Sequence, residues 1–332
     1  MKSFRSLNSQ SLPSSFDSKP KNRKVFIKAL ERFGLIGALV LICMIIGLLT
    51  PYFLTFSNMI NVLRQVSIEL PLAIGLTLCI LTGGIDLSVG SVVALTGCIT
   101  AIAMAKLGVV LGIMVGLLVG AGAGLFNGLL ITKAKIPPFV VTLGMMTIAR
   151  GLALISTGGE FIGSLPSTYE KIGTGFVSFV PIPVVIALGI SIMIYFLLTQ
   201  TKFGTDIYCI GGNAEAARLS GIPNDRVVTI VYVLSGLMAA VVGIVLTARV
   251  GSAQPSFGIM YELTAIASVI IGGTSFSGGE GSLLGTLIGA IIIGVLGNGL
   301  NVLNVDYFWQ QVAIGLILTL AVFCDSLKRG KI

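Results

Sequence analysis

Long apolar stretches follow one another from about residue 33 to the C-terminal end of the chain. Many approach the roughly 20 residues that an α-helix needs to cross a bilayer. Lipid offers backbone N–H and C=O groups no partner, so only helices and closed barrels can span it. The runs here are continuous rather than alternating, which argues against a barrel. Only 10% of the residues are charged, against about 25% in ordinary soluble domains. Mean hydropathy is +1.03. The fold class that follows is an all-α polytopic membrane protein.

Taken in order, the runs predict about ten transmembrane helices with short re-entrant or broken segments. They fall at 33–50, 67–81, 87–105, 109–131, 139–155, 183–198, 227–248, around 262–271, 283–299 and 309–324. Residues 1–24 are rich in Ser, Asn and Lys and lack periodicity, so a disordered cytoplasmic tail is expected there. Residues 25–332 then form one transmembrane domain. The first run shows no cleavage signature and reads as a retained span. FSNMINVLR at 56–64 reads as a separate amphipathic helix on the membrane surface. The polar stretch 157–180 reads as an external loop with a short helix around 167–172.

The net charge is +8, but the basic residues lie in tails and a few loops rather than in one stripe. Membrane orientation explains them better than nucleic acid does. Lys133, Lys135, Lys202, Arg218, Arg226, Lys328 and Arg329 fall on the side of the N-terminal tail if ten crossings are made. By the positive-inside rule both termini are cytoplasmic. So is the polar segment at 200–226. That segment holds AEAARL, a run of good helix formers between Gly-Gly-Asn and Gly-Ile-Pro. An ordered, charged loop in so apolar a chain is expected to touch a soluble partner.

Glycine is abundant at 43 residues, and Gly112, Gly116, Gly120, Gly124 and Gly128 recur every four positions. Such a ridge invites a closely approaching helix. GGIDLSVGS after the second span echoes GGTSFSGGEGS after the eighth, and LFNGLLI at 125–131 echoes LGNGLNV at 296–302. Either the chain contains a repeat of the kind transporters use, or a Gly-rich composition produced the echoes.

Asp86 is a carboxylate flanked by apolar sequence, which is costly unless paired or facing water. It either lines a translocation path or closes a turn into a helix beginning at Leu87. Asn127 and Asn298 either face the same path or bond between helices. Arg150 and Arg249 fall near outer span ends, where snorkelling is the default. Glu262 and Asp306 are candidates for the outer face, or for capping roles.

No chemistry is legible. The chain has no histidine. It has no GxSxG or HExxH motif and no P-loop, so it cannot hydrolyse ATP through a Walker site of its own. Its five cysteines form no CxxC pair and read mostly as packing residues. No catalytic residue and no metal site is expected.

Four stretches carry a resemblance: TGGIDLSVGS at 82–91, NGLLITKAKIPPFVVTLGMMTIARG at 127–151, GGNAEAARLSGI at 211–222, and IGGTSFSGGEGSLLGTLIGA at 271–290 followed by NGLNVLNVDYFWQ at 298–310. With these the chain resembles the permease subunits of bacterial ABC importers for ribose and related monosaccharides. The resemblance implies a second permease copy, usually making a homodimer. It also implies cytoplasmic ATP-binding subunits that use the ATP and Mg, and an extracytoplasmic sugar-binding protein. The location implied is the bacterial plasma (inner) membrane. Residues 211–222 would be the coupling segment docking into the ATPase, with Asn213, Glu215, Ala216, Ala217 and Gly221 on the family pattern and Arg218 adding a polar contact. Many relatives read GRxIYAIGGN where this chain reads GTDIYCIGGN, so Thr205, Asp206 and Cys209 depart from the pattern. The rival reading is a secondary transporter driven by an ion gradient, which leaves the long cytoplasmic loop without a role. A membrane scaffold or receptor component is the rival from another class.

Overall fold

The computed structural model describes residues 21–328. In chain order the elements are α1 (Lys21–Leu49), α2 (Phe56–Leu81), α3 (Val89–Leu107), α4 (Val109–Thr132), α5 (Pro138–Thr157) and α6 (Ser167–Thr174). A small hairpin follows, β1 (Phe176–Val177) and β2 (Val180–Pro181), then α7 (Ile182–Gln200), α8 (Lys202–Gly212) and α9 (Ala214–Leu219). The chain ends in α10 (Asn224–Val250), α11 (Tyr261–Ile271), α12 (Leu283–Val302) and α13 (Tyr307–Lys328). Most of the expected tail, residues 1–20, lies outside the described residues.

Among the described residues, seven helices are long and apolar enough to cross a membrane: α2, α3, α4, α5, α7, α10 and α12. Gly34–Leu49, Tyr261–Ile271 and Phe308–Phe323 are shorter apolar helices. The described residues are thus all-α apart from the hairpin, and the protein is polytopic.

α10 is the mast. It packs most extensively on α4 and also lies against α2 and α3. The glycine ridge of α4 makes this possible. Gly120 faces Gly236 and Ala240, Gly124 faces Tyr232, and Gly128 faces Thr229, all on α10. Further along, Gly112 and Gly116 face Met104 and Thr100 of α3. Bare backbone lets the helices approach until van der Waals contact is continuous, which drives association in lipid. The opposite face of α4 exposes Leu111, Leu118, Leu125 and Phe126, as a lipid-facing surface requires.

The surface helix expected at 56–64 does not exist as a separate piece. It is the first part of α2, which runs unbroken through Pro71. Thr55 starts it by accepting from the Asn58 N–H at 3.4 Å. Of its polar residues Asn58 is buried against α12, while Ser57 and Asn61 stay exposed; just beyond it, Gln65 and Glu69 line an internal cavity. Amphipathicity reads the same whether the polar face meets water or a cavity.

Two irregular segments enter the bundle. Residues 82–88 join α2 to α3, and 251–260 join α10 to α11. The second packs on the start of α3, with Gly258 against Gly90. Backbone of this kind is tolerated at membrane depth only where protein satisfies it. The first Gly-Gly echo is structural. α2 ends with Gly83 at φ +82, its N–H bonded to Ile80 O at 2.9 Å and that of Gly84 to Cys79 O at 3.0 Å. α11 ends the same way, with Gly273 at φ +82, bonded to Ile270 O at 2.9 Å, and Thr274 N–H to Val269 O at 3.2 Å. Both are Schellman caps, whose left-handed residue favours glycine. The second echo is not a repeat: Asn127 lies in α4, the second helix after its cap, and Asn298 in α12, the first after its own.

Candidate functional site

Three places could carry function: the joint at 82–88, a cavity beside α2, and the short helix α9 at the opposite end of α10.

At the joint, Asp86 is 1% exposed. Its Oδ1 accepts from the Ser88 N–H at 3.0 Å and the Ser88 hydroxyl at 2.5 Å, and its Oδ2 from the Ser235 hydroxyl of α10 at 2.8 Å. The Ile85 carbonyl accepts from Thr142 of α5 at 3.2 Å and from the Tyr232 hydroxyl at 3.4 Å. Asn127 donates to Ser88 Oγ at 3.1 Å. The joint is therefore pinned to α4, α5 and α10 at once, and Asp86 closes the turn that leads into α3. Asn298 exchanges two hydrogen bonds with Asn58, at 2.8 and 3.0 Å, and ties α12 to α2. None of Asp86, Asn127 and Asn298 lines either of the two cavities described below.

Arg150 does not snorkel but turns onto its own chain. Arg150 of α5 donates through one nitrogen to the carbonyls of Pro255 and Phe257, the latter at 2.8 Å. It is the clamp on the second irregular segment. Arg249 lines the cavity. The Glu262 carboxylate lies against Gly90 at the start of α3, and Asp306 accepts from the Phe308 N–H at 2.8 Å. Of the cysteines, Cys79 and Cys98 are buried and Cys209 is exposed.

The cavity measures about 340 Å³. It lies between α2, the end of α10, α11, α12 and the start of α13. Gln65, Glu69, Arg249, Asn301 and Gln310 are among its polar groups, and residues such as Ile68, Leu246 and Leu263 form its apolar wall. Gln65 and Glu69 are four apart on α2, but Arg249, Asn301 and Gln310 come from α10, α12 and α13, so no spacing in the chain links the set.

At the far end of α10, α9 is mounted firmly. Asn213 accepts from the Ala216 N–H at 2.9 Å and so caps its start. Gly221, at φ +83, closes it: its N–H bonds Arg218 O at 3.0 Å and that of Ile222 bonds Ala217 O at 3.1 Å. The glycine is needed for that left-handed turn. Asn224 ties the other side by donating to Ala214 O at 2.7 Å. Glu215 and Arg218 form a two-pronged pair at 2.6 and 3.1 Å, and this hydrogen bonding holds the Glu215 carboxyl below the usual carboxylate range. Ala217 does not sit on the outer face: it is 4% exposed and packs inward on its own chain. The outward residues are Ala214, Glu215, Ala216, Arg218 and Leu219, and Leu219 is 75% exposed.

α9 is also connected inward. Gly211, at the end of α8, lies against Leu81 O and Gly279 N. The Gly279 N–H itself bonds Leu81 O at 3.0 Å. Tyr208 of α8 donates to Gly281 O at 3.2 Å. α8 thus rests on the corner after α2 and on the loop after α11. Asp206, a departure from the family pattern, is buried on α8. A second cavity, of about 430 Å³, separates α9 from the 82–84 corner and is lined by Thr82, Gly84, Arg218, Asp225 and Tyr232.

Among the described residues no group of three or more His, Cys, Asp or Glu side chains could hold a metal ion. No solved structure matches the chain. The chain is 44% identical over 306 residues to the ribose import permease protein RbsC of Bacillus subtilis, covering 91% of this chain and 95% of that one. It is 41% identical over 314 residues to the Escherichia coli K12 protein of the same name, covering 92% and 98%. It is 36% identical over 327 residues to the L-arabinose transport system permease protein AraH of Escherichia coli K12, covering 96% and 98%. The model of the family described as branched-chain amino acid transport system / permease component matches residues 58–323. A multi-pass bundle agrees with that description, and the chain belongs to this family of membrane permease components.

Proposed function

We propose that the chain forms the translocation pathway of an ATP-driven importer for a monosaccharide such as ribose, in the bacterial plasma (inner) membrane. The relatives named for ribose and L-arabinose support the substrate class. Ten crossings follow if α1, α11 and α13 join the seven long helices. They put both termini and α9 in the cytoplasm and the cavity near the outer face. The working assembly is two copies of this chain, a pair of ATP-binding subunits and an extracytoplasmic sugar-binding protein. ATP and Mg belong to the partner subunits.

The observation that carries the reading is α9. It is short, capped at both ends, exposes Leu219 and Arg218, and backs through Gly211 onto the corners after α2 and α11. A partner closing on ATP moves α9, and α9 moves the ends of α2 and α11. The step draws its free energy from the partner's different affinity for the two arrangements. Asn213 and Gly221 fix the shape of α9, Glu215 and Arg218 give it polar contacts, and Ala216 leaves room for a groove wall.

The test is reconstitution with a cognate ATPase and binding protein. ATP-dependent uptake of labelled D-ribose or L-arabinose is expected, and Leu219→Asp should abolish it while the assembly of the permease copies survives. Uptake that follows an ion gradient and ignores the ATPase would refute the reading. So would labelling of a Ser220→Cys variant from outside intact cells.

A further inference from the structure

The cavity beside α2 has a feature that packing does not explain. Gln65 donates to Glu69 Oε1 at 3.3 Å, but Glu69 Oε2 is buried with no hydrogen-bond partner. A carboxylate oxygen at membrane depth is costly without a donor. Gly297 keeps the wall close here: a side-chain carbon on it would lie only 2.9 Å from Gln65 Nε2, so the space beside the carboxylate depends on that glycine. Across the cavity, Gln310 is held by donating to Asn301 Oδ1 and Val305 O, both at 2.9 Å. One carboxylate, one guanidinium and several carboxamides make a nearly neutral set with donors and acceptors mixed. The remaining wall is apolar. The volume of about 340 Å³ falls at the small end of ligand sites.

We infer that this cavity is a binding station for the transported sugar inside the permease, with Glu69 accepting a hydroxyl and the Ile68–Leu246 side meeting the ring's C–H face. A neutral polyol fits it better than an ion does. Opposite charges on α2 and α10 cancel, the carboxamides each give and accept, and an orphan acceptor asks for an O–H. The inference rests on the importer reading and adds a substrate contact inside the membrane, beyond delivery from outside.

The experiment uses the full chain with its ATPase and binding protein in proteoliposomes. It follows labelled D-ribose, L-arabinose, D-allose and L-leucine together with ATP hydrolysis. Glu69→Leu and the space-filling Ile314→Trp are expected to cut the sugar moved per ATP at least tenfold, with ATP hydrolysis within twofold of the parent. Glu69→Gln, which keeps an acceptor, should stay within threefold. If Glu69→Leu fails to assemble, Ile314→Trp carries the same test. An unchanged sugar-to-ATP ratio in the variants that assemble overturns the binding station and leaves the importer standing. L-Leucine carried in place of sugar overturns the polyol assignment. A parent that takes up no sugar with ATP defeats the importer reading, and the station falls with it.

Discussion

Gly120 and Gly122 sit two residues apart on α4 and should respond oppositely to the same methyl group. A β-carbon on Gly120 would lie 2.5 Å from the Gly236 carbonyl oxygen and 2.6 Å from the Ala240 β-carbon. That is roughly 0.9 Å short of the 3.4 Å where ordinary contact begins. The nearer obstacle is backbone, which cannot swing aside, so α4 and α10 must part along their seam. Overpacking of this kind costs about 1–3 kcal/mol, and two helices joined by a row of such contacts belong at the upper end. A β-carbon on Gly122 meets nothing within 4 Å. There the substitution removes only glycine's helix penalty, a gain of up to about 1 kcal/mol. The assay is the midpoint of heat-induced loss of the monodisperse species in detergent. At roughly 2–4 °C per kcal/mol, Gly120→Ala should fall by about 5 °C or more while Gly122→Ala holds or rises. Adding Ala240→Gly to Gly120→Ala should restore part of the loss, because the Gly236 carbonyl stays in place. Equal midpoints for the two single variants would refute the tight seam.

Arg150→Leu removes both donors to Pro255 and Phe257 and should lower the same midpoint by the equivalent of about 2–4 kcal/mol. It should also make the 251–260 backbone exchange hydrogen faster, and unchanged exchange would remove the clamp. Asn298→Leu leaves Asn58 without its partner, and a double-mutant cycle with Asn58→Leu should report a coupling of about 0.6–1.7 kcal/mol. Ala217→Trp should dislodge α9 from its own chain, so protease cleavage within 213–222 should rise even without an ATPase; cleavage like the parent's would mean the bulk is accommodated. The Glu215 carboxyl titrates below its usual range, so its contribution is present at neutral pH and is lost only as pH falls through that lowered value. ATPase stimulation should therefore be flat from pH 8 to about 6 on this account, and Glu215→Gln should leave that flatness unchanged.

The sequence determined the class and most of the spans, because the bilayer imposes one length and one polarity on every crossing. α4, α5, α7, α10 and α12 lie within a few residues of their expected limits. The glycine ridge was legible because a period of four puts one face of a helix on its neighbour. The capped α9 was legible because helix ends are set by local chemistry, Asn213 at one end and Gly221 at the other. What the tertiary structure decided is where polar groups point. Asn58 lay in the stretch expected to be a surface helix, yet it pairs with an asparagine of another helix inside the bundle. Arg150 suggested snorkelling, yet it satisfies carbonyls more than 100 residues away in the chain. Ala217 matched the coupling pattern, yet it turned inward while Leu219 stands exposed. A one-dimensional pattern records that a residue is polar or small. Whether it meets water, lipid or another helix depends on which distant segments fill the space beside it.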